Sequence, residues 1–372
     1  VKVLVLADDL TGASDTVVQF ARAGWSSLLS VSGGWREEPV EEAVALTLDT
    51  RRDPHAERVT ARAAAELTTG TLYLKVDSTV RGRVAEQVRG ALAGYRRHRP
   101  AAYAVVCPAY PAMGRTVVDG VVLVDGAPVH EGAAGRDPVT PVTESDLTRL
   151  LPGSVRVDAD GDLAAALRTA GASHDVVVVD ARDAADVERV AAAVADVGPD
   201  ALPVGSAGLA GALARAWRPD RPVTAESIAA SGTRRALLVV SSLHEVARAQ
   251  AATLTRDHAG DAVDLLITPE EAEHGAADRR AHALAAEAAA TLDRGEHDLL
   301  VLVGGDGAAA TLAALGATGI RVVDAPVEGV PLGAVVGGRH DGLAVATKAG
   351  GFGDPSTLIR LFTAVRALGA TS

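Results

Sequence analysis

Two adjacent carboxylates, Asp8 and Asp9, follow the apolar residues Leu4, Val5 and Leu6 and precede Thr11, Gly12 and a helical spacing of Val17, Val18, Phe20 and Ala21. A strand that ends in an acidic turn and feeds a helix puts its carboxylates at the carboxyl edge of a sheet, where open α/β sheets bind ligands. One aspartate can serve simply as the N-cap of the helix; a cap uses one carboxylate and leaves the other to be explained. A second polar cluster, Lys75, Asp77, Ser78, Thr79, Arg81, Gly82 and Arg83, again ends an apolar run and precedes a helical pattern. Lysine, aspartate and arginine there combine a point cation, a proton acceptor and a planar fork suited to carboxylate or phosphate. A solvated loop with a Ser/Thr cap would carry similar residues, but Asp49, Thr50, Arg51 and Arg52 end an intervening strand in the same way. Three charged strand ends on one edge describe a pocket for a small polyhydroxylated anion.

The second half of the chain carries loops of another kind. Gly304, Gly305, Asp306 and Gly307 lie between an apolar run and a helical segment. Adjacent glycines let a backbone approach phosphate oxygens and aim amides at them, although a tight strand-to-helix turn also calls for glycine. Ser241 and Ser242 end another strand, with Gln250 further along the helix that follows, and Lys348 opens a run through Gly350, Gly351, Phe352 and Gly353. Together the three loops describe a phosphate cradle on a second sheet edge. There is no Walker A motif and no G-x-G-x-x-G in a dinucleotide setting. His130, His244 and His340 show no metal-ligand spacing and are read as exposed or capping residues, so no protein metal site is expected. Cys107, the single cysteine, is read as a small apolar filler.

The elements that must position these residues alternate. Strands are expected at 1–6, 27–31, 44–48, 72–76, 102–106, 155–157, 176–179 and 202–205, with helices at 15–23, 57–68, 84–97, 145–151, 163–170, 183–197 and 206–217. Residues 110–141 break into glycine, proline and short β-runs, as functional or mobile segments do. Residues 218–233, with two prolines and no periodicity, read as a linker. After it come strands at 236–240, 263–268, 299–303, 320–323 and 343–347 and helices at 245–259, 279–293, 308–315 and from 355 on. This is two α/β domains with mainly parallel sheets, residues 1–220 and 234–372, the first with the anion pocket and the second with the phosphate cradle.

Composition bounds the function. The 372 residues are 48% hydrophobic and only 3% aromatic, with a formal charge of −12. That balance argues against a base-stacking platform, a general nucleic-acid binder or an anionic-membrane binder. No apolar run approaches the roughly 18 residues of a membrane span, and with no leader visible ahead of the first strand a cytoplasmic protein is expected. A homodimer is the default expectation for a soluble enzyme.

The set ADDLTGASD, KVDSTVRG, CPAYPAMGRTVVDG, DPVTPV, VGSAGLAGALA, GGDGA and TKAGGFG, in that order over essentially the whole chain, resembles the four-carbon acid sugar kinase family. The resemblance implies an N-terminal substrate domain, a C-terminal ATP domain, an active site in the cleft between them, and Mg2+-assisted phosphoryl transfer to a hydroxyl of a sugar acid. It implies that Asp8, Asp9, Thr11, Lys75, Asp77, Ser78 and Arg81 face the acid. For such a transfer Asp9, in preference to Asp8 or Asp77, is expected to take the hydroxyl proton, and Arg81 with Lys75 to clamp the substrate carboxylate or the transferring phosphoryl. It implies that Ser241, Ser242, Gly304, Gly305, Asp306, Gly307, Lys348, Gly350 and Gly351 hold the nucleotide. Two positions depart from the family pattern, which has Gly-Ser at Ser241-Ser242 and threonine at Gly307. A sugar-acid dehydrogenase would need a dinucleotide fingerprint where Asp8 and Asp9 stand, and a non-catalytic sugar-acid sensor would bind no nucleotide.

Overall fold

The computed structural model describes residues 2–31, 39–68, 70–137, 139–223, 235–257, 263–269 and 277–370. They form two compact units: one holds the described residues through Trp25 and from Pro39 to Asp220, the other the rest. In chain order the elements are β1 (Val3–Ala7), α1 (Leu10–Arg22), β2 (Ser27–Ser30), β3 (Ala43–Thr47), α2 (Ala56–Ala65), β4 (Thr71–Lys75), α3 (Val84–Tyr95) and β5 (Tyr103–Cys107). Then come β6 (Arg115–Val118), β7 (Val121–Val124), β8 (Ala127–Pro128), α4 (Leu147–Leu150), β9 (Val155–Val157), α5 (Leu163–Gly171), β10 (Val176–Val179), α6 (Ala184–Val197), β11 (Ala201–Gly205) and α7 (Ala207–Trp217). The second half runs β12 (Ala236–Val240), α8 (Glu245–Asp257), β13 (Val263–Ile267), α9 (Ala277–Leu292), β14 (Leu299–Val303), α10 (Gly305–Ala314), β15 (Gly319–Val327), β16 (Val330–Val336), β17 (Ala344–Lys348) and α11 (Thr357–Ala370).

In the first unit the strand order is β3-β1-β4-β11-β5-β10-β9, and every neighbouring pair is parallel. Strands β1 and β5 are buried along their whole length, which is why VLVLA and YAVVC are unbroken apolar runs. Three of the scarce aromatics meet: Phe20 of α1 contacts Trp25 edge-on at 5.6 Å and stacks on Trp217 at 6.4 Å. Trp25 Nε1 donates to the Ala214 carbonyl at 2.9 Å, which ties the end of α1 to α7.

In the second unit the order is β13-β12-β14-β17-β16-β15-β2; the first four are mutually parallel and the last three each run antiparallel to the preceding strand. Strand β2 groups here because it pairs with β15, Ile320 against Leu29; the sequence boundary at 220 assigns it to the first domain. Strand β16 has no counterpart in the sequence expectation, since Pro331 and Gly333 interrupt its apolar run. Gly333 is needed there: a Cβ would fall 2.3 Å from the Arg321 carbonyl of β15. The segment expected as a helix at 145–151 is a single turn, Leu147–Leu150. Residues 224–233 of the expected linker lie outside the described residues. Among the described residues no helix is long and apolar enough to cross a membrane.

In each unit the chain leaves its first parallel strand to one side and then crosses to the other. In the first, β1 lies between β3 and β4; in the second, β12 lies between β13 and β14. Loops leaving the two central strands at such a point diverge and open a crevice at the carboxyl edge. The charged strand ends fall at the first and the glycine loops at the second.

Candidate active site

Register brings the first group together. Ala7 is level with both Thr47 and Lys75, so Asp8 and Asp9 emerge between the loops that follow β3 and β4. Asp9 is the N-cap of α1, its Oδ1 accepting from Gly12 N at 2.8 Å. Asp8 is held differently. Arg51 grips it with two donors, Nε to Oδ2 at 2.7 Å and Nη2 to Oδ1 at 3.1 Å, and reaches Asp9 Oδ2 with Nη1 at 2.9 Å and Asp77 Oδ1 at 3.6 Å. Gly82, at φ +85°, lets the β4 loop lie on this arginine, for a Cβ would fall 2.8 Å from Arg51 Cγ.

Asp77 is chelated by Arg81, Nη2 to Oδ1 at 2.8 Å and Nε to Oδ2 at 3.1 Å, and Oδ2 also accepts from the Thr79 amide at 3.0 Å and the Thr79 hydroxyl. Val80 between them adopts φ +54°, a left-handed conformation that a β-branched residue enters only under constraint. Its amide bond to Asp77 O and the Arg81 chelate on either side hold it there. Arg81 Nη1 reaches Asp137 Oδ2 at 3.2 Å. Asp137 comes from the irregular stretch, whose β6, β7 and β8 form a small antiparallel sheet. The fully buried Asp180, at the end of β10, anchors that sheet by accepting from Asp119 N at 2.8 Å and Gly120 N at 2.9 Å.

The charges in this cluster oppose one another closely. Burial, then the neighbouring Asp9, pushes the Asp8 carboxyl up, against the pull of Arg51 and Lys75. Burial also works against the Asp77 carboxylate, but the bonds and charge of Arg81, with Arg51 and Lys75, outweigh it and hold Asp77 well below the usual carboxylate range. Lys75 is buried, with no hydrogen bond or ion pair to its ammonium among the described residues. Thr11 and Ser78 are half-buried at the same edge. Away from this edge, burial pushes the Cys107 thiol up to about 12, so the cysteine is no nucleophile.

The expected residues of the second group also converge. Val240 is level with Val303, and Val303 with Lys348, so the loops after β12, β14 and β17 leave side by side. The GGDG run is not a loop ahead of a helix: α10 starts at Gly305, three residues earlier than its apolar spacing suggests. Its N-cap, Gly304, at φ +109°, supplies no side-chain cap. The first-turn amides are therefore open to an anion, with the exposed Asp306 beside them.

Ser241 and Gly307, the two positions at which the resemblance leads one to expect other residues, share one space. A Cβ on Gly307 would fall 2.1 Å from Ser241 Cβ, and one on Gly304 2.5 Å from Ser241 Oγ. The Ser241 side chain fills the space that a side chain at 307 would need. Ser242 acts likewise across the third loop, where a Cβ on Gly350 would fall 1.9 Å from its Oγ. Lys348 is turned into its own loop, Nζ donating to Phe352 O at 2.7 Å and to Ala349 O. Gln250 Nε2 donates to Phe352 O at 2.9 Å and Asp354 O at 2.8 Å. Lys348 and Gln250 thus shape the Gly350–Gly351 turn. Arg51, which the sequence marks only as part of the charged strand end 49–52 and with no role of its own, and Asp137, which it marks only within the DPVTPV motif, are central to the first cluster.

The chain matches a family described as a sugar-binding N-terminal domain over residues 3–213 and one described as a nucleotide-binding C-terminal domain over residues 268–358. It is 40% identical to a D-threonate kinase from Bordetella bronchiseptica over 97% of both chains, and 29% identical to one from Salmonella typhimurium over 96% of both. Among solved structures, a Bordetella bronchiseptica protein crystallised with citrate as a domain-swapped dimer is 38% identical. That alignment spans 98% of this chain and 99% of that one, with a TM-score of 0.55.

Proposed function

Since the chain belongs to the four-carbon acid sugar kinase family, we propose that it transfers the terminal phosphate of ATP, with Mg2+, to a hydroxyl of a four-carbon sugar acid, D-threonate foremost. The observation that carries this reading is the pair of sheet edges: one lined by carboxylates and cations, the other by a capless helix start among glycine loops. Residues 1–220 serve the acid and 234–372 the nucleotide, which the two family matches support. The citrate-bound relative, a domain-swapped dimer, supports a small carboxylic acid ligand and a homodimer.

Phosphoryl transfer demands alignment and charge neutralisation more than covalent chemistry. Asp9 accepts the proton of the attacking hydroxyl. Each of its oxygens receives one donor and keeps a lone pair, and its side chain is 27% exposed against 1% for Asp8. Arg81 keeps two of its five N–H groups beyond those on Asp77 and Asp137 and faces the transferring phosphoryl. The α10 amides and the Gly350–Gly351 turn hold the phosphates, with Ser241 and Ser242 packed beneath them. Among the described residues no group of three ligating side chains could cage a metal. Mg2+ binds through substrate phosphates and one or two carboxylates; Asp306 would hold it or its waters, and the ion would offset charge on the phosphates.

The test is ADP release from ATP and Mg2+ with D- and L-threonate, D- and L-erythronate and the 3-oxo-tetronates, using five- and six-carbon acids as controls. Turnover confined to four-carbon acids is expected. No turnover together with no ATP binding in a calorimeter would overturn the kinase reading. The packing of the nucleotide loops adds a second expectation. Gly307→Thr weakens ATP binding about 10- to 100-fold by overpacking against Ser241, and Ser241→Gly in the same chain restores it. Titration calorimetry reads both; a single variant that binds as the wild type does would show that the two positions are uncoupled.

A further inference from the structure

Resting on the sugar-acid reading above, we infer that the carboxylate of the substrate binds Lys75 Nζ at the first turn of α1, and that neither Arg51 nor Arg81 is its receptor.

The three cations of the cluster differ in how far they are already engaged. Arg51 meets Asp8, Asp9 and Asp77, and Arg81 meets Asp77 and Asp137. Both planar forks lie against carboxylates of the protein, which offset the charge that each would offer to a further carboxylate. Lys75 is 6% exposed, yet its ammonium has no hydrogen bond and no ion pair among the described residues. A buried ammonium keeps three donors, and leaving them unmet is costly. Its nitrogen is not wholly sealed, since it is not among the fully enclosed polar atoms without partners.

The ammonium is also aimed. A Cβ on Gly12 would fall 3.0 Å from Lys75 Nζ and 2.6 Å from Asp9 Oδ1. Lys75 therefore points at the start of α1, and the absence of a side chain at Gly12 keeps the space between the ammonium and Asp9 open. The Gly12 amide is taken by Asp9 and that of Ala13 by the Asp9 carbonyl. The amides of Leu10 and Thr11, at the positive end of the helix, have no intrahelical partner. A carboxylate on Lys75 meets this end and lies on the same side as Asp9. One end of a four-carbon acid is thereby fixed and the carbon chain runs past the carboxylate that takes its proton. Arg51 is then a positioning residue that holds Asp8 and Asp9 in place.

The inference is tested by calorimetric titration of D-threonate, and of the neutral threitol, into the full chain without nucleotide. Wild type is expected to prefer the acid. Lys75→Met, and Lys75→Gln as a second neutral variant should the first fail to fold, is expected to lose D-threonate affinity about 10- to 100-fold with threitol unchanged. Arg81→Gln is expected to bind D-threonate within about threefold of wild type while losing turnover. Unchanged acid binding in a folded Lys75 variant, or loss of it in Arg81→Gln alone, would overturn the assignment. A wild type that binds none of the four-carbon acids would overturn the sugar-acid reading itself.

Discussion

Arg51→Met is expected to destabilise the protein by about 3–5 kcal/mol, the largest stability effect of any single substitution in the acid cluster. The arginine is 18% exposed and meets three carboxylates, one of which is buried beyond reach of water. Removing it leaves Asp8 with only the nearby Lys75 against burial and Asp9. Urea unfolding at pH 7 measures the deficit, and Asp8→Asn in the Arg51→Met background should recover part of it by removing the stranded charge. The sign with pH follows from linkage. In the wild type the depressed Asp77 carboxyl contributes stability that is full above its unfolded value of about 3.9 and lost as the pH falls below it. In the variant the Asp8 carboxyl, already pushed up by burial and Asp9, loses the opposing pull of Arg51 and rises further, so its ionised form costs more stability at neutral pH and that cost is relieved in acid. The gap between the two proteins should therefore be widest near neutrality and close as the pH falls. A gap that widens in acid would mean that Arg51 does not compensate these carboxylates.

Asp9→Asn is expected to lower kcat about 10²- to 10⁴-fold with little change in KM. The substitution separates the two roles of the residue. Asparagine caps a helix as well as aspartate does, so the bond from Gly12 N and the start of α1 survive, while the proton acceptor is lost. Turnover of D-threonate by wild type and variant, with unfolding curves alongside, decides the matter. Equal turnover by a folded Asp9→Asn protein would remove Asp9 as the base, and Asp8 would not inherit the role, since Arg51 already grips both of its oxygens.

Much of this is legible in the order of residues. The alternation of apolar strand runs and amphipathic helices, the charged ends after β1, β3 and β4, and the glycine loops after β14 and β17 are local patterns, with periods set by backbone geometry. They suffice to say that two α/β units each carry polar loops at a sheet edge, and that one edge suits an acid and the other a phosphate. Strand β16 escapes because Pro331 and Gly333 break its period; it forms because β15 and β17 supply partners on either side. The single turn at Leu147–Leu150 and the membership of β2 in the second unit are likewise settled by pairing across long stretches of chain.

The same limit applies inside the site. Sequence placed Asp8, Asp9, Lys75, Asp77 and Arg81 at one edge, because each follows a strand of that sheet. It could not say which cation each carboxylate would take. Tertiary structure engages Arg51 and Arg81 with aspartates, leaves the Lys75 ammonium without such a partner, brings Asp137 to Arg81 from 56 residues away, and turns Lys348 into its own loop. It also makes Ser241 and Gly307 a single packed pair. Residue type and spacing determine which charges meet at an edge; the distances between side chains on different strands, which exist only once the sheet is assembled, determine which of them are satisfied within the protein and which is left for a ligand.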